Sequence, residues 1–412
     1  MTTSCDLAHI RASEATLTLL DRAGQPIAGR QVTVEQTRHA FGFGITGAGA
    51  VPFLNGELSG EKQEQGQTHA DKLLDLFNFV TLPFYWGRFE PEQGKPDTKR
   101  ILTAAKWFKS HGCTIKGHPL CWHSVCCDWL MQYPNDKIID LQRQRIEREV
   151  ADFAGVIDMW DVINEAVIMP VFDKYDNAMT RVCWQIGRVA MIRNVFDAAR
   201  QTNPSATLLL NDFDMSTAFE CLIEAVLEAG IKIDVLGLQS HMHQGYWGEE
   251  KTRDVLRRFS RYGIPIHFTE STLVSGEIMP AHIVDLNDHQ VDHWPSTPEQ
   301  EQRQAEELVR HYTTLMSHPS VEAITWWGLN DGGWLKAPSG LLHADQSTKP
   351  AYEALHKLVK GEWWMKPTEM VTDVQGRVNV NGFFGDYRVS CNGECADFQI
   401  QKDAANEMDL RL

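Results

Sequence analysis

The chain reads as an α/β protein, a closed barrel of eight strands and eight helices with a small antiparallel β-sandwich built from its two ends. Three observations predict this. Short apolar runs, rich in β-branched and aromatic residues, alternate eight times with longer amphipathic stretches, the pattern of parallel strands joined by right-handed helical crossovers. Hydrogen-bonding and ionisable residues collect at the ends of six of these runs and not in their middles. Both termini instead alternate with period two around short turn sequences.

In chain order, ATLTLLDRAGQPIAGRQVTVEQT reads as strands around the turns DRAGQ and AGR. The barrel runs begin with HAFGFGIT from His39, FNFVTLPF from Phe77, TIKGHPLCW from Thr114 and MWDVINEA from Met159. They continue with TLLLNDF from Thr207, VLGLQSH from Val235, PIHFTES from Pro265 and AITWWGL from Ala323. Each is too short for an independent helix. Between them, stretches such as QRQRIEREVADFAG and RQAEELVRHYTTLM space their apolar residues helically. PSTPEQEQ reads as a helix start, with Thr297 as cap and Glu299 or Glu301 in the first turn. Near the end, GRVNVNGFFGDYRVS and ADFQIQK return to period two, with Asn392-Gly393 a good hairpin pair. Neither flank has enough strands for a core of its own. The two are therefore expected to pair, residues 1–38 and 363–412 forming the sandwich and 39–362 the barrel inserted between them. An eight-fold count favours closure over an open doubly wound sheet, and no glycine-rich dinucleotide fingerprint follows the first strand.

Hydrophobic residues make up 43% of the chain and charged residues 23%, ordinary values for a globular protein. The net charge of -16 argues against nucleic acid or an anionic membrane as partner, and suits a neutral or weakly basic substrate better than a polyphosphate. No uncharged apolar run reaches membrane-spanning length. The opening MTTSCDLAHIRASEATL shows no signal-peptide pattern, and nine cysteines, an odd number, lie mostly in strands or helices. These features set the expectation of a cytoplasmic protein, or a secreted one if a leader has been trimmed. Only Cys391 and Cys395, in SCNGEC, are placed to close a small disulfide. No cofactor is expected. His241 and His243 form an H-x-H pattern, but no further motif completes a metal site. The segment HIVDLNDHQVDH, 282–293, reads as a solvated loop capping a cleft.

The polar strand ends are His118, Asn164 with Glu165, Asn211 with Asp212, Gln239 with His241, Glu270, and Asn330 with Asp331. In a barrel of this kind the C-terminal strand ends form the active-site face. Glu165 lies within the greasy run MWDVINEAVIMP, where an unpartnered carboxylate is costly unless it neutralises. It ends the fourth candidate strand and Glu270 ends the seventh, so the two can face each other across the mouth. Glycoside hydrolysis needs such a pair, one to protonate the leaving oxygen and one to attack the anomeric carbon or activate water. Glu165, with Trp160 close in sequence, is the candidate for a raised pKa and so the acid. Glu270 follows HFT, where imidazoles and hydroxyls could keep it ionised as the nucleophile.

The words WDVINEA, GHPLCWHS, LLLNDFD, LQSHMH, the TE of HFTES, ITWWGLND and STKPAY follow the order and approximate spacing of glycoside hydrolase family 10, the endo-β-1,4-xylanase family. The resemblance runs from about Phe77 to Tyr352. It implies a TIM (β/α)8 barrel and a retaining double displacement on a β-linked glycan. Glu165 then resembles the family's acid/base and Glu270 its nucleophile. By the same resemblance Asn164 would bond the sugar 2-hydroxyl and His123 the sugar at the cleavage subsite. Gln239 and His241 would border the nucleophile, and Trp327 and Trp334 would floor or wall the cleft. Retention would set the carboxyl groups about 5–5.5 Å apart.

The pattern breaks in VTLPFYWGRFEPEQG. Thr81, Leu82 and Tyr85 stand where the family usually carries an acid, an amide and a lysine that hold the glycone sugars. Binding there is expected to be more apolar, through Phe84, Tyr85 and Trp86. A second break follows the nucleophile, where Ser271 and Thr272 replace the usual acid two positions on. A third is WWGLNDGGWL, a loop shorter and less basic than usual. Three readings follow: a nominal endo-xylanase, a relative that cleaves a different β-glycoside, and a barrel that binds glycans without cutting them.

Overall fold

A computed structural model describes Leu7, residues 10–404 and residues 406–412. Cys5 lies outside them. Two N-terminal strands, β1 (Ala12–Leu20) and β2 (Gln31–His39), precede eight strands: β3 (Gly42–Thr46), β4 (Phe79–Pro83), β5 (Thr114–His118), β6 (Met159–Asn164), β7 (Thr207–Asp212), β8 (Val235–Met242), β9 (Ile266–Leu273) and β10 (Val321–Trp326). These eight close into a barrel in the order β10-β3-β4-β5-β6-β7-β8-β9, all pairings parallel. Their near-continuous burial explains why the sequence reads as apolar runs and not as alternation, since helices cover the outside and side chains fill the inside. The eight expected runs are the eight barrel strands.

The longest crossover helix, Pro298–Met316, starts as its sequence predicts. Thr297 caps it by accepting from the Gln300 N–H, with Glu299 and Glu301 in the first turn. One close approach depends on glycine. A Cβ on Gly117 of β5 would sit 2.2 Å from the Trp160 ring, which is wholly buried against Phe84 and Phe153 on the barrel's helix side.

Five strands complete the chain: β11 (Thr368–Val371), β12 (Arg377–Phe383), β13 (Gly385–Cys391), β14 (Glu394–Ile400) and β15 (Glu407–Arg411). They join the N-terminal strands in two sheets, β12-β1-β15 and β11-β2-β13-β14. The pairings are antiparallel except β1 with β15, which is parallel, because the last strand returns alongside the first in the same direction. Leu17, Val34, Val380, Tyr387, Val389 and Phe398 form the core between these sheets. The β13–β14 hairpin turns on Asn392 and Gly393, both with positive φ of 50° and 87°, as a two-residue turn of this type requires. Cys391 and Cys395 are free thiols: Cys391 is buried in the sheet core while Cys395 is exposed. The small disulfide that the SCNGEC turn left open is not formed. Register separates the two, because Cys391 pairs across the hairpin with Glu394 and Cys395 pairs with Ser390. Among the described residues no helix is long and apolar enough to cross a membrane.

Candidate active site

The C-terminal ends of the barrel strands converge as their polar residues predict. Glu165 follows the last residue of β6 with φ +57°, an unusual conformation for a residue other than glycine and one that tends to persist at functional sites. Its neighbours hold it there. The Glu165 N–H donates to the Asn211 carbonyl at 2.8 Å, and the buried Asp212 carboxylate accepts from the Val167 N–H at 3.0 Å, pinning the turn that follows.

The two glutamates are joined by a chain of amides. Gln239 Nε2 donates to Glu165 Oε1 at 3.3 Å and to Asn164 Oδ1 at 3.0 Å. Asn211 Nδ2 donates to the same Asn164 oxygen at 2.7 Å and to Glu270 Oε1 at 3.0 Å. Asn164 is thereby fixed with its own amide nitrogen directed to Glu165 Oε1, 3.3 Å away. Trp122 Nε1 donates to the other Glu165 oxygen at 2.7 Å, and His123 Nε2 stands 3.9 Å from it. Burial pushes the His123 imidazole down to about 4, so it is neutral beside the glutamate.

Glu270 occupies the opposite environment. His241 Nε2 lies 3.1 Å from its Oε2 and His118 Nε2 lies 3.9 Å from its Oε1. His118 is anchored through Nδ1 to Asp161 Oδ2 at 2.7 Å, and the same oxygen accepts from Lys116 Nζ at 2.6 Å. Lys116 and Asp161 are wholly buried beneath the site. His241 Nδ1 faces the Thr272 hydroxyl at 3.4 Å, where the family's pattern would place an acid.

The two carboxyls are consequently driven apart. Burial, then the charge of Glu270, raises Glu165 to about 8, against hydrogen bonds from Trp122 and Gln239 that lower it. Burial alone would raise Glu270 too, but the charge of His118, the hydrogen bond and charge of His241, and Lys116 outweigh it and hold Glu270 below the usual carboxylate range. A protonated carboxyl facing an ionised one at neutral pH is an acid–nucleophile pair. Trp160 is not among the causes of the raised pKa, and the indole that does reach the carboxyl lowers it. Trp160 packs away from Glu165 on the helix side, and Trp122 is the indole that touches it.

Aromatic rings wall the cleft. Trp327 meets His118 at 5.2 Å and His241 at 6.2 Å between ring centroids, while Trp334 meets His241 at 4.7 Å and His243 at 5.0 Å. Tyr85 lies 5.5 Å from His118 and 5.6 Å from Trp122, and burial followed by the charge of Glu270 raises its hydroxyl pKa. Phe84 and Trp86 do not join it, and the expectation that they line the cleft is corrected. Phe84 is buried among Phe89, Phe153 and Trp160. Trp86 donates its indole N–H to Glu90 at 3.1 Å and packs under the Arg145 guanidinium, so the ring is committed to the core. The H-x-H histidines are 6.3 Å apart between ring centroids, and no cluster of metal-ligating side chains occurs among the described residues.

Sequence reasoning placed His118 and Asn211 among the polar strand ends without giving either a role. Lys116 and Asp161 escaped it, since nothing local marks a lysine in one strand as the partner of an aspartate in the next. Trp122 sits in the quoted CWHS word, and its neighbour His123 was the residue singled out there.

The sequence model of glycosyl hydrolase family 10 matches residues 55–358. The chain belongs to this family. Among its relatives, an endo-1,4-beta-xylanase/feruloyl esterase of Xylanibacter ruminicola is 24% identical over 66% of this chain and 40% of its own length. Anti-sigma-I factor RsgI6 of Acetivibrio thermocellus is 23% identical over 93% of this chain and 45% of its own length. The chain thus spans less than half of either protein. Xylanase 10B from Thermotoga petrophila, solved with xylobiose, superposes with a TM-score of 0.63 over 78% of this chain and 94% of that one at 20% identity, a likeness of fold. By family the chain is a glycoside hydrolase.

Proposed function

We propose that this family 10 chain hydrolyses β-glycosidic bonds with retention of configuration, nominally on xylan or xylo-oligosaccharides. One observation carries the reading: Glu165 is raised to about 8 while Glu270, linked to it through Asn164, Asn211 and Gln239, is lowered. In the first step a Glu270 oxygen attacks the anomeric carbon. The bond to the leaving oxygen breaks as Glu165 delivers its proton there, leaving a glycosyl ester on Glu270. In the second step Glu165, now a carboxylate, takes a proton from water, whose oxygen attacks the anomeric carbon and expels Glu270. Asn164 has its amide oxygen occupied by two donors and one N–H directed to Glu165, which leaves its other N–H to meet a sugar hydroxyl. The same pKa pair supports a working window bounded below by Glu270 and above by Glu165.

A second reading, glycan recognition without turnover, is favoured by Thr81, Leu82 and Tyr85 at the glycone side and by the anti-sigma-I factor that aligns with most of the chain. Assays of xylan, mixed-linkage glucan and aryl β-glycosides separate the two. Hydrolysis by the wild type that vanishes in Glu270→Ala supports the enzyme. Binding with no turnover across the panel supports recognition alone.

A further inference from the structure

A third buried carboxyl stands beside the catalytic pair and has no step in the reaction above. Asp212, the last residue of β7, is wholly buried. An ionised carboxylate only accepts hydrogen bonds, and a buried one needs donors for both oxygens. Asp212 takes them from two loops. Its Oδ2 accepts from the Val167 N–H at 3.0 Å, in the turn after β6, and its Oδ1 accepts from the Asp214 N–H at 3.0 Å, in its own loop. An amide in its place would offer one acceptor oxygen for the two.

The turn held in this way presents Glu165. Glu165 lies two residues before Val167 with φ +57°, a conformation that a residue other than glycine keeps only where its surroundings fix it. Val167 is gripped at both ends of its backbone. Asp212 takes its N–H, while Arg188, the first residue of the helix Arg188–Thr202, donates to its carbonyl from Nε at 3.0 Å and Nη2 at 2.6 Å. The Glu165 N–H goes to the carbonyl of Asn211, the residue before Asp212. The last two residues of β7 therefore hold the acid's segment on both sides of its side chain.

The same carboxyl is a like charge beside the acid. The ionisable groups around Glu165 are Glu270 on β9, Asp212 on β7, His123 after β5 and Tyr85 after β4. His123 is neutral and Tyr85 is protonated, so the charge comes from Glu270 and Asp212, both negative. Burial and then Glu270 are the larger causes of the raised Glu165, and Asp212 adds to them. Asp212 itself faces a further acid, Asp214. Burial raises it to about 7, against hydrogen bonds from the Val167 and Asp214 N–H groups, so it is ionised where Glu165 gives up its proton. A neighbouring negative charge favours the protonated acid in the first step. Once Glu165 has delivered its proton, the same repulsion makes it a stronger base for the water of the second.

We propose that Asp212 is the positioning residue of the acid/base: its carboxylate fixes the turn that presents Glu165, and its negative charge helps to keep the proton there. The inference rests on the hydrolase reading for the role of Glu165.

The test is Asp212→Asn, which keeps the shape of the side chain and removes its charge and one acceptor oxygen. Glu165 is titrated through the ¹³C signal of its carboxyl in the full chain, a readout that needs no turnover. In parallel, kcat/KM is measured against pH for phenyl β-xyloside, whose leaving group needs the acid, and for 2,4-dinitrophenyl β-xyloside, whose leaving group departs unaided. The Glu165 titration and the basic limb for the phenyl xyloside are expected to move down by about half a pH unit or more, a roughly threefold change in proton affinity. The rate on the phenyl xyloside should fall about tenfold or more relative to the dinitrophenyl one, since a well-placed acid contributes about 10²–10⁴-fold. A cooperatively folded variant whose Glu165 titrates as in the wild type, or which slows both xylosides alike, overturns the proposal, because a residue that only supports the fold lowers both rates together. Should Asp212→Asn not fold, the wild-type chain supplies the answer. Its Glu165 signal should show a second inflection where Asp212 ionises, and a single-step curve overturns the proposal. A wild type that turns over neither xyloside sinks the hydrolase reading, and the ¹³C titration then decides the place of Asp212 by itself.

Discussion

Replacing Trp122 with phenylalanine removes the indole N–H donor with its five-membered ring and keeps one six-membered ring in place. The indole Nε1–H donates to Glu165 Oε2 at 2.7 Å in a buried site, and this bond favours the ionised carboxylate. Hydrogen bonds to charged groups contribute about 1.5–3 kcal/mol, and one pKa unit corresponds to about 1.4 kcal/mol. Its loss therefore raises Glu165 by roughly one to two units above its starting value of about 8. Since Glu165 must be protonated to assist departure, the basic limb of kcat/KM against pH moves upward in Trp122→Phe. The rate at pH 7 falls for glycosides with poor leaving groups, because the acid has become weaker. The assay is a pH profile with a weakly acidic aryl β-xyloside, accompanied by ¹³C titration of the glutamate carboxyls. A basic limb that stays in place or shifts to lower pH would show that the indole does not set this carboxyl's ionisation, and the burial-plus-bond account of the acid would fail.

Three further outcomes follow from the same geometry. Glu165 has a folded pKa raised above its unfolded value, so its contribution to stability is full below about 4.5 and is lost as pH rises to about 8. Glu165→Gln should accordingly be inactive yet more stable than the wild type above pH 5, by an amount that grows towards pH 8 and reaches a few kcal/mol, read from urea midpoints across pH. Asp161→Asn strands the wholly buried Lys116 and deprives His118 of its charged acceptor. It should cost about 3–5 kcal/mol in urea unfolding. Gly117→Ala would force a methyl into the Trp160 ring and should destabilise the chain by about 1–3 kcal/mol with the pH profile unchanged.

How much of this was legible in sequence depends on the range of the interaction. The barrel strands were readable because burial on both faces leaves unbroken apolar runs, and because Glu165 directly follows one such run and Glu270 interrupts another. The helix start at Thr297 and the Asn392-Gly393 turn were readable because both are local. Phe84 and Trp86 were misplaced because an aromatic residue beside a strand end serves core and cleft equally well. Neighbours such as Phe153 and Arg145 decide which, and those lie far along the chain. The parallel pairing of β1 with β15 and the Lys116–Asp161–His118 set were hidden for the same reason. The loop 282–293 holds no buried residue, as its run of histidines and aspartates suggests, and the small core of Val274, Met279, Trp294 and Ala337 lies in the segments that flank it.

The most direct measurement is trapping with a 2-deoxy-2-fluoro-β-xyloside bearing a good leaving group, followed by intact mass and peptide mapping. A single covalent glycosyl adduct located on Glu270, absent in Glu270→Ala, is the predicted result. Turnover of the unmodified glycoside with inverted product and no adduct at Glu270 would contradict it.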